Sequence, residues 1–215
     1  MPGEHRSEAA ERSPNGGTAV LLAPGAGSSR DHPSLVLIEQ QLAGTTVVRM
    51  DFPYRKVGRK FPDKTPILLD SVRAEAEALA PAKLVLGGRS MGGRMCSMAV
   101  AAGLSDALGL VLICYPLHPP GKPDRLRNEH FESITVPCLF ISGTRDAFGT
   151  RQELEEHTAV IPGPVTYVWL EGSDHSLRRR DQEVAGIAVA WIQALISGQP
   201  DGALTVPDRP SPAPT

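Results

Sequence analysis

Six short, predominantly apolar runs constrain the fold of this chain more than any other feature. They fall at residues 18–23, 46–50, 84–86, 109–114, 136–142 and 165–170. They lack the polar alternation of a half-solvated strand, so each reads as a strand covered on both faces. Between them lie segments with helical spacing, at 31–43, 66–80, 91–102, 152–159 and 181–197. In the first, Leu35, Ile38 and Leu42 share a face; in the last, Val184, Ile187, Ala188, Trp191 and Leu195 form a stripe. Pro33 and Pro66 stand at helix starts, and Gly103 and Gly198 at helix ends. Strands alternating with helices predict an α/β domain: a doubly wound, mostly parallel sheet of about six strands with helices on both faces.

Two long stretches interrupt the alternation. Residues 51–63 read as a loop rich in cationic and aromatic side chains. Residues 115–135 are irregular, rich in Pro and charge, too short for a cap domain and long enough for a small lid. The domain is expected to span 18–198, between a polar lead at 1–17 and a Pro-rich end at 199–215, both expected to be disordered.

Composition narrows the function. With 215 residues, 41% hydrophobic and 21% charged, the chain is long enough for one domain with a sizeable core. A net charge of −2 gives no long-range pull on nucleic acid or an anionic membrane. No apolar run approaches the roughly 20 residues of a membrane span. The first residues lack the apolar core of a signal peptide. The three cysteines, Cys96, Cys114 and Cys138, lie in or beside apolar segments and read as reduced thiols of a cytoplasmic protein. No Cys/His cluster has metal-ligand spacing. Oligomeric state is not legible.

The most specific local pattern follows the third apolar run. Gly88-Arg89-Ser90-Met91-Gly92 has the form G-x-S-x-G between a strand and a helix. A serine on so sharp a turn needs tiny residues two before and two after it, and the reward is a hydroxyl raised above the sheet at a helix N-terminus. The plainer alternative is a glycine-rich turn with an incidental serine. Serine needs a base, and the base needs an orienting carboxylate. Asp146 follows the fifth run and His175 the sixth, so the chain order is Ser90, Asp146, His175. Asp174 competes with Asp146 as the carboxylate, although sequence neighbours point in divergent directions. His118, in the lid-like segment, is the rival base and a candidate substrate contact. The arginines Arg55, Arg59 and Arg89 are candidates for gripping a substrate carboxylate or phosphate. The plainer alternative is that Arg89 makes a structural ion pair and the other two pin their loop.

These stretches also carry a resemblance. The region 18–197 resembles α/β hydrolases, in particular the small capless branch of dienelactone-hydrolase-like proteins. It is most similar there to the family of the testis-expressed hydrolase-like protein and a subunit of a chromatin acetyltransferase complex. The resemblance rests on PGAGSS (24–29), DFPYR..GR..PD (51–63), GGRSMGGR (87–94), YPLHPPGKPDRLR (115–127), ISGTRD (141–146) and GSDHS (172–176). It implies Ser90 as nucleophile, His175 as base, Asp146 as orienting carboxylate, and the N–H groups of Met91 and Ala26 as an oxyanion hole. It calls for no cofactor. Relatives usually have His where this chain has Pro24, and dienelactone hydrolases proper use cysteine where it has Ser90. The activity implied is hydrolysis of a small-molecule ester or thioester. Two other uses of the fold stay open: a binding or scaffold module without chemistry, and peptidase action.

Overall fold

A computed structural model describes residues 17–79, 83–103, 105 and 107–198. Apart from Gly17, the expected polar ends lie outside the described residues, as does Ala80 at the end of the second expected helix. Along the chain come β1 (Thr18–Ala23), α1 (Pro33–Gln41), β2 (Thr46–Arg49), α2 (Pro53–Lys56), α3 (Thr65–Leu79), β3 (Lys83–Arg89), α4 (Met91–Ala101), β4 (Gly109–Ile113), a 3-10 turn (Phe131–Ser133), β5 (Cys138–Gly143), α5 (Arg151–Thr158), β6 (Val165–Leu170) and α6 (Asp181–Ile196).

The strands form one sheet in the order β2-β1-β3-β4-β5-β6, and every pairing is parallel. Side chains alternate between its faces. In β1, Ala19, Leu21 and Ala23 join one apolar cluster with α3, α4 and Leu154 of α5. Val20 and Leu22 join the other with α1 and α6. Both faces of the four inner strands are buried, which is why those strands read as continuous apolar runs, whereas the edge strands β2 and β6 are only partly covered. The chain therefore winds in both directions from β1 and β3. The connection leaving β1 goes to one face, and the connection leaving β3 goes to the other. A crevice opens where the two diverge, beyond the strand ends. Register sets its width, because Ala23 of β1 lies beside Gly88 of β3.

Two stretches have more order than the sequence suggested. Within the 51–63 loop, residues 53–56 form one helical turn. Pro53 supplies the fixed backbone angle at its start, and buried Phe52 and Tyr54 anchor it. The segment 115–135 lacks regular structure beyond its 3-10 turn, yet Tyr115, Leu117, Phe131 and Ile134 are all core residues. Tyr115 packs against Phe131 at 5.3 Å and edge-on to Phe140 at 5.9 Å between ring centroids. Those anchors make the segment a packed wall.

The second core cluster is centred on Trp191, which is fully buried. Its ring and Leu195 cover Gly109, where an added Cβ would lie 2.9 Å from the indole and 2.6 Å from Leu195 Cδ2. The indole Nε1 is buried with no hydrogen-bond partner among the described residues. Trp191→Ala is expected to cost about 3–5 kcal/mol in urea unfolding. Trp191→Phe, which keeps most of the volume and removes the unpaired N–H, is expected to cost far less.

Candidate active site

At the end of β3 the chain reverses on one residue. Arg89 closes the strand, Met91 opens α4, and Ser90 between them has φ 50° and ψ −117°. A non-glycine residue in that region costs about 1–3 kcal/mol and persists only where its surroundings impose it. Ser90 N–H donates to the Ile113 carbonyl at 2.8 Å, and its own carbonyl accepts from Arg94 N–H at 3.1 Å. The flanking glycines have no alternative. A Cβ on Gly88 would collide with the Ala23 carbonyl oxygen and lie 2.9 Å from Gly93 N; one on Gly92 would lie 2.6 Å from the Pro24 carbonyl oxygen.

The turn presents Ser90 Oγ to His175 Nε2 at 2.9 Å. On the other side of the ring, Nδ1 meets both Asp146 carboxylate oxygens, at 2.9 and 2.8 Å. Asp146 is only 1% exposed, and its Oδ1 also accepts from Phe148 N–H at 2.8 Å. Phe148 stacks on the imidazole with 3.9 Å between centroids. Arg89 fixes the histidine's backbone, because its Nη2 donates to the carbonyls of His175 (2.6 Å) and Ser176 (2.7 Å). The competing carboxylate turns away. Asp174 accepts from Ser176 N–H and Oγ–H, and those bonds hold its pKa below the usual value.

A cavity of about 580 Å³ opens above this chain of hydrogen bonds. Ala26 and Met91 line it, and neither backbone N–H has a hydrogen-bond partner among the described residues. Tyr54 donates its hydroxyl to the Ala26 carbonyl at 2.8 Å, which fixes the plane of the next peptide. Burial raises the Tyr54 pKa, so the phenol stays a donor.

Of the remaining candidates, only Arg89 lines the cavity. It lies there 7% exposed, bonded to carbonyls rather than in an ion pair. Arg59 is exposed and paired with Asp63 at 2.6 Å. Arg55 sits on the short α2 and is not among the lining residues. His118 is buried away from the cavity, with Nδ1 2.9 Å from the Pro119 carbonyl and Nε2 3.5 Å from Glu153 beside the α5 cap. It lies in the wall and is not among the residues lining the cavity around Ser90.

Sequence reasoning did not single out Arg94, Arg127 and Phe148, which line the cavity, or Tyr54, which holds the Ala26 loop beside it. Arg94 was within reach of that reasoning, since it lies one helical turn beyond Ser90. Arg127 comes from the irregular wall, where no period points to it.

Cys114, Asp146 and His175 present ligand-type atoms within 4.8 Å of one another. They make a poor metal cradle. Burial pushes the Cys114 thiol up to about 12, so it stays protonated near neutral pH, and the other two groups already face each other.

Comparison with known proteins places this geometry in context. A family model described as an alpha/beta hydrolase domain matches residues 16–195. Among solved structures, the chain is similar to Est1E from Butyrivibrio proteoclasticus in its ferulic acid complex. The TM-score is 0.71 and the identity 14%, covering 85% of this chain and 90% of that one. It is also similar to a monoacylglycerol lipase from Paleococcus ferrophilus, with TM-score 0.67 and identity 17%, covering 85% and 96%. Mouse alpha/beta hydrolase domain-containing protein 10 gives TM-score 0.63 and identity 16%, covering 83% and 89%. At such identities the likeness establishes a shared fold.

Beneath α4 lies a histidine with a measurable consequence. His130 Nε2 is 2.8 Å from Ser97 Oγ. Burial first, and the charge of Arg94 second, lower its pKa from 6.5 to about 4. Between those values the unfolded chain binds a proton that the folded one refuses, so stability falls as pH drops from 6.5 toward 4 and levels off below. Urea midpoints measured across that window are expected to fall less steeply for His130→Gln than for the unsubstituted protein.

Proposed function

The chain belongs to the alpha/beta hydrolase family, and on that premise we propose that it is a serine hydrolase cleaving a carboxylic ester or thioester through an acyl-enzyme. The observation that carries this reading is the continuous relay from Ser90 Oγ through His175 to buried Asp146. With Nδ1 protonated toward Asp146, Nε2 is the acceptor for the serine proton.

Ser90 Oγ attacks the substrate carbonyl carbon while its proton passes to His175 Nε2. The carbonyl oxygen becomes an oxyanion, for which the free N–H groups of Ala26 and Met91 are the donors. The imidazolium is stabilised by Asp146 and passes its proton to the departing alkoxide or thiolate as the acyl–O or acyl–S bond breaks. Water then repeats the sequence. It loses a proton to His175 and attacks the acyl carbon, and the ester bond to Ser90 breaks as the proton returns to Oγ. The products are the carboxylic acid and the alcohol or thiol. The motifs around Tyr54 and Ser90 support a place in the dienelactone-hydrolase-like branch, and serine at the nucleophile position favours simple esters and thioesters as substrates. The free, buried Cys96, Cys114 and Cys138 support a reducing, cytoplasmic setting.

A fluorophosphonate probe tests this directly. It is expected to label the protein and to fail on Ser90→Ala and His175→Ala, with kcat for p-nitrophenyl butyrate falling about 10⁴-fold in either variant. Folded protein that takes no label would instead indicate a binding module with an idle serine. Tyr54 acts in this scheme as a positioning residue. Tyr54→Phe is expected to lower kcat about tenfold with little change in KM, because its hydroxyl anchors the loop at the Ala26 carbonyl, and the N–H that the loop carries on the other side of Ala26 matters only once the oxyanion forms.

A further inference from the structure

The serine chemistry leaves two cationic side chains of the cavity unused. Arg94 projects from α4, Arg127 comes from the wall between β4 and β5, and both line the same space as Ser90. Arg49, Arg59 and Arg73 each have a carboxylate partner. Arg94 and Arg127 have neither an ion pair nor a side-chain hydrogen bond among the described residues, and Arg94 Nε is buried without a partner. The two charges oppose each other. Burial and then the Arg94 charge hold Arg127 below its ordinary pKa.

The acidic groups around them do not relieve this. Asp63, on the cavity wall, gives Oδ1 to Arg59 at 2.6 Å, and its Oδ2 is buried with no hydrogen-bond partner among the described residues, so it makes no ion pair with Arg94 or Arg127. Glu129 favours the charged form of Arg127 through space without forming an ion pair. Two guanidinium groups facing a half-buried space without a carboxylate at ion-pair distance are costly alone. They are well matched to an anion whose oxygens accept from both forks.

We propose that Arg94 and Arg127 form a subsite for an anionic head group, a carboxylate or a phosphate, carried by the ester or thioester near its scissile carbonyl. The subsite rests on the hydrolase reading for its role and stands apart from it as a binding site. It makes the preferred substrate a charged acid derivative rather than a neutral lipid ester.

Two measurements separate the claims. The first is calorimetric titration of Ser90→Ala protein with glutarate and with inorganic phosphate, repeated after adding Arg94→Gln or Arg127→Gln, with thermal melts to show that each variant folds. Binding is expected to weaken about tenfold or more in either arginine variant, and the tighter anion identifies the head group. Equal affinity in all three proteins would point to a different site, and the absence of binding to any of them would likewise overturn the subsite. The second is the ratio of kcat/KM for p-nitrophenyl hydrogen glutarate over p-nitrophenyl pentanoate. The ratio is expected to exceed one, and to fall about tenfold or more when either arginine is replaced. A ratio that the arginine substitutions do not move would overturn the proposal. Anion binding that depends on both arginines, together with turnover of neither ester, would sustain the subsite and defeat the Ser90 reading alone.

Discussion

The close approach of β1 to the turn after β3 is the constraint on which the rest of the site depends. Ala23 and Gly88 are register partners at the ends of their strands. The space between those backbones and the first turn of α4 admits no Cβ at Gly88 or at Gly92. That crowding holds Ser90 at a φ it would not adopt freely, with its N–H tied to the carboxyl end of β4. The same contact brings the β1 loop, with its free Ala26 N–H, beside the serine. One steric fact thus aims the hydroxyl and gathers the donors next to it.

Arg89 extends that control to the far side of the site. It is the last residue of the strand that delivers Ser90, and its guanidinium reaches the carbonyls of His175 and Ser176. The strand carrying the serine therefore also sets the loop carrying the histidine. A buried cation satisfied by neutral carbonyls keeps much of its field, and it contributes to the lowered pKa of His32 across the cavity, after burial itself. With Arg94 and Arg127 on the same lining, the space above Ser90 carries more positive than negative charge, although the whole chain is slightly acidic.

The sheet was legible in the sequence because strands buried on both faces are continuous apolar runs, and each of the six runs became a strand. The grouping of Ser90, Asp146 and His175 was legible because each follows its own strand, and parallel strands bring all their carboxyl ends to one edge. Contacts made through the backbone were not legible. Arg89 finds carbonyls, which belong to every residue and leave no mark in a sequence, so an ion pair or a substrate was the natural expectation. Tyr54 read as one aromatic in a loop, because a single helical turn is too short to show a period. His118 has the same residue type as His175, and burial in the wall separates them. Arg127 is placed by the packing of Tyr115 and Phe131, a relation between distant side chains rather than a local pattern.

The strand order has a consequence for how the molecule comes into being. Ser90 and His175 are 85 residues apart along the chain, and Asp146 and His175 are 29 apart. The first strand bonds to the third across a crossover that must already contain α3. Contacts of such long range are closed late and slowly. A nascent chain that has emerged only through α5 holds Ser90 and Asp146 but not His175. The hydrogen bond between Ser90 and His175 is therefore completed only once β6 has emerged and paired with β5, and until then the serine lacks that partner while the partly formed sheet still exposes apolar faces.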